Sequence, residues 1–426
     1  RANREVEVND VLQARMKNTN KAFWVTEEYK NDLFSTGFMQ LRSYGKTVNS
    51  KYVFYYLNSL FFLKQKDELA TGATQQAIND GNAAKLDFPL PPLAEQERIV
   101  TKLDALFAQQ EVMKKALSRI PALLKDFRQQ VLTQAVTGKL TASWREGKEL
   151  GSGFELLLKV NKEKQNLNFK SRKNKFEELF VNADLIPKKW AFGSPDEICS
   201  PEKYSLAIGP FGSNLKVEDY TENGVPLIFI RNIKANKFSG LSEKFVSLRK
   251  AKELEAHSIE GNDLIIAKMG DPPGDCELYP SDSPKAIITA DCLKFRIWDK
   301  YFDRFFYKYI INSGLIKEQL ASMTFGVAQQ KISLDRFKSL KLPVPPFEEQ
   351  IEIVMRIESL ISKADAIEIR YKKLKEKIDT LPQAILHKTF KGELVAQLPT
   401  DGDAKDLLKE ILDLQNTRIK NSKSKI

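Results

Sequence analysis

The sequence predicts an α+β chain in which one design is used twice. Two globular heads are each followed by a long helix, and the two helices pair as an antiparallel coiled coil with pseudo-two-fold symmetry. Three observations carry the prediction. The stretch FPLPPLAEQERIV at 88–100 returns as LPVPPFEEQIEIV at 342–354. Matching residues recur at a constant separation of 254, from Asn58 and Asn312 to Leu140 and Leu394. Apolar residues then step by three and four along both helices, the spacing of a heptad seam.

The repeat is dense. Ser59 meets Ser313, and Gly72, Gln75, Gln76 and Ile78 meet Gly326, Gln329, Gln330 and Ile332. Pro89, Pro91 and Pro92 meet Pro343, Pro345 and Pro346, and Gly138 meets Gly392. Upstream the separation becomes 253, where VNDVLQARM (8–16) faces GNDLIIAKM (261–269) and a loop has gained a residue. The period is too long for a solenoid, so the chain is a duplicated unit.

In chain order, residues 1–90 form a partial first head and 91–140 the first helical spacer. Residues 141–185 follow as a connector, 186–345 as the second head, 346–394 as the second spacer and 395–426 as a basic C-terminal tail. The first head is partial by arithmetic: Pro187 minus 254 falls before Arg1, so about 67 residues of it are expected to be absent. Short β-like runs such as GVPLIFI and NDLIIAKM alternate with Gly/Pro loops and the amphipathic helix FFYKYIINSGLIKEQL in the second head.

Each spacer begins with two prolines, whose fixed φ suits a first helical turn and whose missing N–H would be unpaired there anyway. Glu95 and Glu349 then place carboxylates at the positive end of the helix dipole. The first seam runs Ile99, Leu103, Leu106, Gln110, Met113, Leu117, Ile120, Leu124, Phe127, Val131. The second runs Ile353, Ile357, Leu360, Ala364, Ile367, Tyr371, Leu374, Ile378, Leu381, Ile385. Gln110 and Ala364 are equivalent weak layers. Pro121 and Pro382 should kink or break the helices and are not equivalent, so the copies cannot bend alike. From Ile99 to Val131 the spacer would reach about 50 Å at ~1.5 Å per residue, longer than one turn of DNA, on the order of 34 Å.

Composition narrows the function. No run approaches the length of a membrane span, no leader-like apolar block opens the chain, and the cytoplasm is the expected compartment. Cys199, Cys276 and Cys292 show no paired spacing and only two histidines exist, so free buried thiols are expected rather than a disulfide frame or a zinc finger. A formal charge of +11 favours polyanionic partners, because neutralised phosphates release counterions.

Candidate DNA contacts lie where polar and basic groups sit beside flexible backbone: GPFGSNLK (209–216), RNIKANK (231–237) and FGVAQQKIS (325–333). These give Lys216, Arg231, Asn232, Lys234, Gln329, Gln330 and Lys331. The first head contributes Gln75 and Gln76, and Arg15 and Lys17 lie at the strand end matched by Lys268 in the second head. Such side chains suit phosphate contacts and base-edge hydrogen bonds. GDPPGD (270–275) is reminiscent of the amino-methyltransferase motif that holds a flipped base, but Gly274 stands where an aromatic residue is needed, and a proline turn is expected. Phosphate-loop, zinc-helix and nucleophile-elbow motifs are missing, which assigns any catalysis to a partner.

The stretches LPPLAEQERIVTKLDALFAQ, AVTGKLTASWRE, VPPFEEQIEIVMRIESLI and GPFGSNLK resemble the specificity subunits of Type I restriction-modification enzymes, and the resemblance covers essentially the whole chain. It implies two target recognition domains reading the halves of a split double-stranded DNA site, with the paired helices setting the gap. It further implies two modification (methyltransferase) subunits that carry S-adenosylmethionine, and restriction/translocase subunits that use ATP and Mg. No cofactor or metal is expected on this chain, no catalytic residue, and no membrane partner. Glu95, Gln96, Ile99, Leu103 and Leu106, with Glu349, Gln350, Ile353, Ile357 and Leu360, match the family's helix starts and should pair the helices or meet partners. Two rival readings stay open: an assembly adaptor whose DNA recognition is impaired because the first head is incomplete, and a self-contained DNA methyltransferase.

Overall fold

The computed structural model describes every residue except 1, 31, 44–45, 170–181, 235–236, 271–272, 325–330 and 424–426. The chain forms two compact units, residues 1–120 with 369–426, and residues 121–368. The long helix Phe347–Phe390 contributes to both.

In the first unit an antiparallel sheet carries strands in the order Ala22–Trp24, Val11–Ala14, Phe38–Leu41. Helices Ser50–Leu57 and Leu60–Glu68 cover it, burying Tyr56, Leu57 and Phe62 against Val11 and Met39. Helix Leu93–Leu117 lies beside the 369–390 portion of the long helix. Ile99, Val100 and Leu103 pack with Ile385 and Leu386, while Gln110 reaches Ile378, so early residues of one helix meet late residues of the other. The pairing is antiparallel.

The second unit contains a four-stranded sheet, Cys276–Leu278, Leu264–Ala267, Cys292–Phe295, Leu206–Ile208, and a five-stranded sheet in which Ala286–Ile288 runs parallel to Val225–Ile228. Helix Ile120–Val136 pairs with the start of Phe347–Phe390: Arg128 bonds Asp365 and Glu368, Arg356 donates to the Leu140 carbonyl just past the first helix, and Val131, Leu132, Ala135 and Val136 share one buried cluster with Ile353, Val354 and Ile357. This pairing is antiparallel too. Each unit thus holds one head, the start of that head's own spacer and the end of the other.

The repeat is structural down to register. Val11 pairs with Leu41 and Trp24, as Leu264 pairs with Phe295 and Leu278. Asn9 and Asn262 both adopt left-handed φ, 72° and 74°, which asparagine tolerates better than branched residues. Each turns the chain so that the next residue, Asp10 or Asp263, accepts two hydrogen bonds from an arginine 32 or 33 residues on, Arg42 or Arg296. Burial pushes the Asp10 carboxyl up, but the Arg42, Glu7 and Gln40 hydrogen bonds more than offset this and hold it below its ordinary value.

Three expectations are refined. The helices do bend differently: the first breaks between Leu117 and Ile120, just before Pro121, whereas the second runs through Pro382. The seams are buried at Ile99, Leu103, Gln110, Leu117, Leu124, Val131, Ile353, Ile357, Ala364, Ile378 and Ile385, but Met113, Phe127, Ile367 and Leu374 are exposed. A strict heptad drifts about 20° per repeat on a straight helix, and the break resets the first one. The connector contains helix Gly153–Asn166, whose Leu157 and Val160 are buried in the second unit's core, and the tail contains helix Ala404–Lys423.

The three cysteines are buried and unpaired. Burial pushes the Cys199 thiol up to about 11 and the Cys292 thiol to about 12, and raises Cys276 as well. Native chain at pH 8 should therefore resist iodoacetamide, with all three thiols labelled in denaturant. Stoichiometric native labelling, read by mass spectrometry, would contradict this burial.

Candidate nucleic-acid interface

The joint between head and spacer comes first, because it positions everything else. Gln96 is buried; its Oε1 accepts from the Asn49 amide at 2.9 Å and its Nε2 donates to the Pro91 carbonyl at 2.8 Å. Gln350 does the same 254 residues on, accepting from the Asp303 amide at 2.9 Å and donating to the Pro345 carbonyl at 3.0 Å. Asn49 and Asp303 are the N-caps of Ser50–Leu57 and Arg304–Ile311. The glutamine therefore clamps the cap of a head helix to the proline turn that launches the spacer.

The adjacent glutamates differ. Glu349 is fully buried, and it accepts from Thr141 Oγ1 (2.7 Å), from Arg145 Nε and Nη2 (2.9 and 2.8 Å) and from Trp190 Nε1 (2.8 Å). This draws the start of the connector, with its SWRE stretch, onto the start of the second head. Glu95, also buried, accepts no hydrogen bond among the described residues; burial, then the nearby Asp401, raises its pKa.

At one end of each sheet, the strand end meets residues 77–78 in the first head and 331–332 in the second in the same way. In the first head the Ile78 amide donates to the Arg15 carbonyl, and the Lys17 amide to the Gln76 carbonyl. Thr71 and Ala77 close the loop between them, and Gly72 sits at φ 132° where a Cβ would lie 2.4 Å from the Gln75 carbonyl oxygen. Only glycine fits. In the second head the Ile332 amide donates to the Lys268 carbonyl, and Met269 bridges Lys331.

The predicted side chains divide into two groups. Arg15 is turned inward, donating to the Phe38 and Ile78 carbonyls and pairing with Asp80. Asn232 is buried, bonding the Phe229 amide and the Gly240 carbonyl. Lys268 is buried with Nζ 2.8 Å from the Ala290 carbonyl, and burial lowers its pKa. These three hold backbone in place. Exposed, by contrast, are Gln75, Gln76, Lys17 (Nζ to Gln76 Oε1, 2.8 Å), Lys216, Arg231 and Lys331 (Nζ to Asp291 Oδ1, 2.9 Å). Arg231 lies with its guanidinium 4.1 Å from the Phe229 ring centre. Gln329 and Gln330, and the side chain of Lys234, lie outside the described residues. Of GDPPGD (270–275), Asp271 and Pro272, on which the expected proline turn falls, lie outside the described residues; the Gly274 amide donates to the Ala267 carbonyl.

Sequence reasoning missed the Glu7–Asp10–Arg42 and Glu260–Asp263–Arg296 networks and the Gln96 and Gln350 clamps. The signal was present: all of these residues recur at the 253 or 254 separation.

Residues 4–122 and 213–378 match the family described as the Type I restriction modification DNA specificity domain. The chain belongs to this family. The two matched segments of specificity domain cover well over half of the chain, one in each copy of the repeat. The EcoKI specificity subunit of Escherichia coli strain K12 is 28% identical over 365 residues, 83% of this chain and 67% of that protein. The MjaVIII specificity subunit of Methanocaldococcus jannaschii is 23% identical over 378 residues, 86% of this chain and 75% of that protein. The HsdS subunit from Thermoanaerobacter tengcongensis shares the fold, with a TM-score of 0.59 at 20% identity over 92% of this chain and 83% of that one. A chain from a structural study of type I restriction-modification complex assembly gives 0.60 at 19% identity, over 92% and 84%.

Proposed function

We propose that this chain is the non-catalytic recognition subunit of a Type I restriction-modification complex, in which each head reads one half of a split double-stranded DNA site. The observation that carries the reading is the duplicated strand end, where the Ile78 amide meets the Arg15 carbonyl in one head and the Ile332 amide meets the Lys268 carbonyl in the other, in a chain of the specificity-domain family. Lys17, Gln75 and Gln76 in the first head, and Lys216, Arg231 and Lys331 in the second, are the exposed side chains offered to DNA, with Gln329, Gln330 and Lys234 proposed beside them. The inward-facing Arg15, Asn232 and Lys268 shape the loops that carry them.

Two modification subunits would bring S-adenosylmethionine and methyl transfer, and restriction/translocase subunits ATP and Mg. The cytoplasm is the proposed compartment; among the described residues no helix is long and apolar enough to cross a membrane. Co-assembly with modification subunits, followed by methylation mapping on a random duplex library, tests the reading. It should return one bipartite, asymmetric motif. Methylation without sequence preference would favour an assembly adaptor, and methyl transfer by the chain alone would overturn the non-catalytic reading.

Arg231 rests on Phe229, which holds its planar group in one orientation; lysine cannot reproduce that stacking. Arg231→Lys is therefore expected to weaken DNA binding nearly as much as Arg231→Ala. Lys331→Ala should weaken binding uniformly across sequences and reduce the salt slope by about one. Filter binding of the complex across salt concentrations checks both, and an unchanged slope for Lys331→Ala would remove it from the phosphate contacts.

A further inference from the structure

Pro382 lies inside helix Phe347–Phe390. Proline has no N–H, so the carbonyl four residues back, that of Ile378, has no helical donor, and the ring presses it outward. On a solvated face water would satisfy it. Ile378 instead belongs to the buried seam at 5% exposure, where an unpaired carbonyl is costly.

The donor comes from the other spacer. Gln110, 2% exposed, places Nε2 2.6 Å from the Ile378 carbonyl oxygen. It occupies the one layer of the first seam that has no apolar residue. Apolar layers still find apolar neighbours after a slip of one helix along the other, because dispersion and burial are not directional. A buried amide matched to a single freed carbonyl does not, because any slip strands both groups. The pairing also has no duplicate at the 254 separation: Ala364 stands for Gln110, and Arg128 stands for Pro382. Arg128 makes ion pairs with Asp365 and Glu368 instead.

We infer that Gln110 and Pro382 form a register lock between the two spacers, and that Gln110 is a positioning residue fixing the length of the gap between the two half-sites. The gap role rests on the recognition function proposed above; the lock itself rests only on the Gln110–Ile378 contact.

A double-mutant cycle on the full chain tests the lock. Gln110→Leu should lower the melting temperature by about 2–4 °C while Pro382 is present. In a Pro382→Ala background the helix recovers its own N–H for the Ile378 carbonyl, and Gln110→Leu should then cost little. Equal losses in both backgrounds would overturn the bond. The gap role is read in the assembled complex, on duplexes whose half-sites are constant and whose gap varies one base pair at a time. Wild type should methylate one gap length. The Gln110→Leu/Pro382→Ala chain, stable but unlocked, should methylate neighbouring gaps at least about tenfold more than wild type, a change of 1.4 kcal/mol or more in discrimination. An unchanged gap preference in that stable variant would overturn the positioning role. A wild-type complex with no sequence preference would overturn the recognition reading and the gap role with it, while the melting cycle still decides the lock.

Discussion

Glu349→Ala is expected to destabilise the second unit by about 3–5 kcal/mol, the cost of removing one partner from a buried, hydrogen-bonded charge pair. The carboxylate has no exposed surface and takes hydrogen bonds from Thr141, Arg145 and Trp190. Alanine would strand the Trp190 indole N–H and the Thr141 hydroxyl and leave the Arg145 guanidinium, itself only partly exposed, without its counter-ion. Glu349→Gln should fall between, since an amide oxygen still accepts from the indole but cancels no charge. Glu95 provides the control from the same motif. It accepts no hydrogen bond among the described residues, and burial and the charge of Asp401 raise its pKa against the opposing pull of Arg98, so Glu95→Ala should cost far less. Urea melts of the variants decide the matter; equal losses at the two positions would mean that the carboxylate acts through the helix dipole alone and not through its partners.

That contrast marks how far the sequence could be read. The duplication was legible because identical residues recur at a fixed separation, and the sheet register follows it residue by residue, as Val11–Leu41 and Leu264–Phe295 show. The heptads were legible because 3–4 spacing is a local property. Bond donors at the site were harder. Arg15 and Lys268 are cations beside a loop in the sequence, yet both turn inward, because buried carbonyls at strand ends need donors and these side chains reach them. Asn232 likewise reads as a base-contacting amide and serves as a cap. Nothing local distinguishes a cation that meets phosphate from one that meets a carbonyl 22 residues away, as Lys268 does, or 63, as Arg15 does. The repeat does help: Gln96 and Gln350, each bonded to a helix cap 47 residues earlier, show that a duplicated polar residue can be duplicated for the fold's sake.

The seam gives the other large effect. Leu103 is fully buried among Tyr52, Tyr55, Ile99, Ile385 and Leu386. Leu103→Asp would place a carboxylate among those apolar side chains and should cost about 3–5 kcal/mol. The carboxyl could escape part of that by taking up a proton, so the loss should shrink as pH falls toward 5. In the second unit Ile357 is as deeply buried, and Ile357→Asp should behave alike. Met113 and Leu374 share the same heptad spacing but are 40% and 47% exposed, so Met113→Asp and Leu374→Asp should stay within about 0.5 kcal/mol of wild type. Hydrogen exchange separates the two units within one chain: Leu103→Asp should lower protection around Tyr52–Leu57 and leave Leu264–Ala267 unchanged, and Ile357→Asp should do the reverse. Comparable losses from Met113→Asp and Leu103→Asp would mean that heptad spacing, rather than the packing around each side chain, sets what the paired helices tolerate.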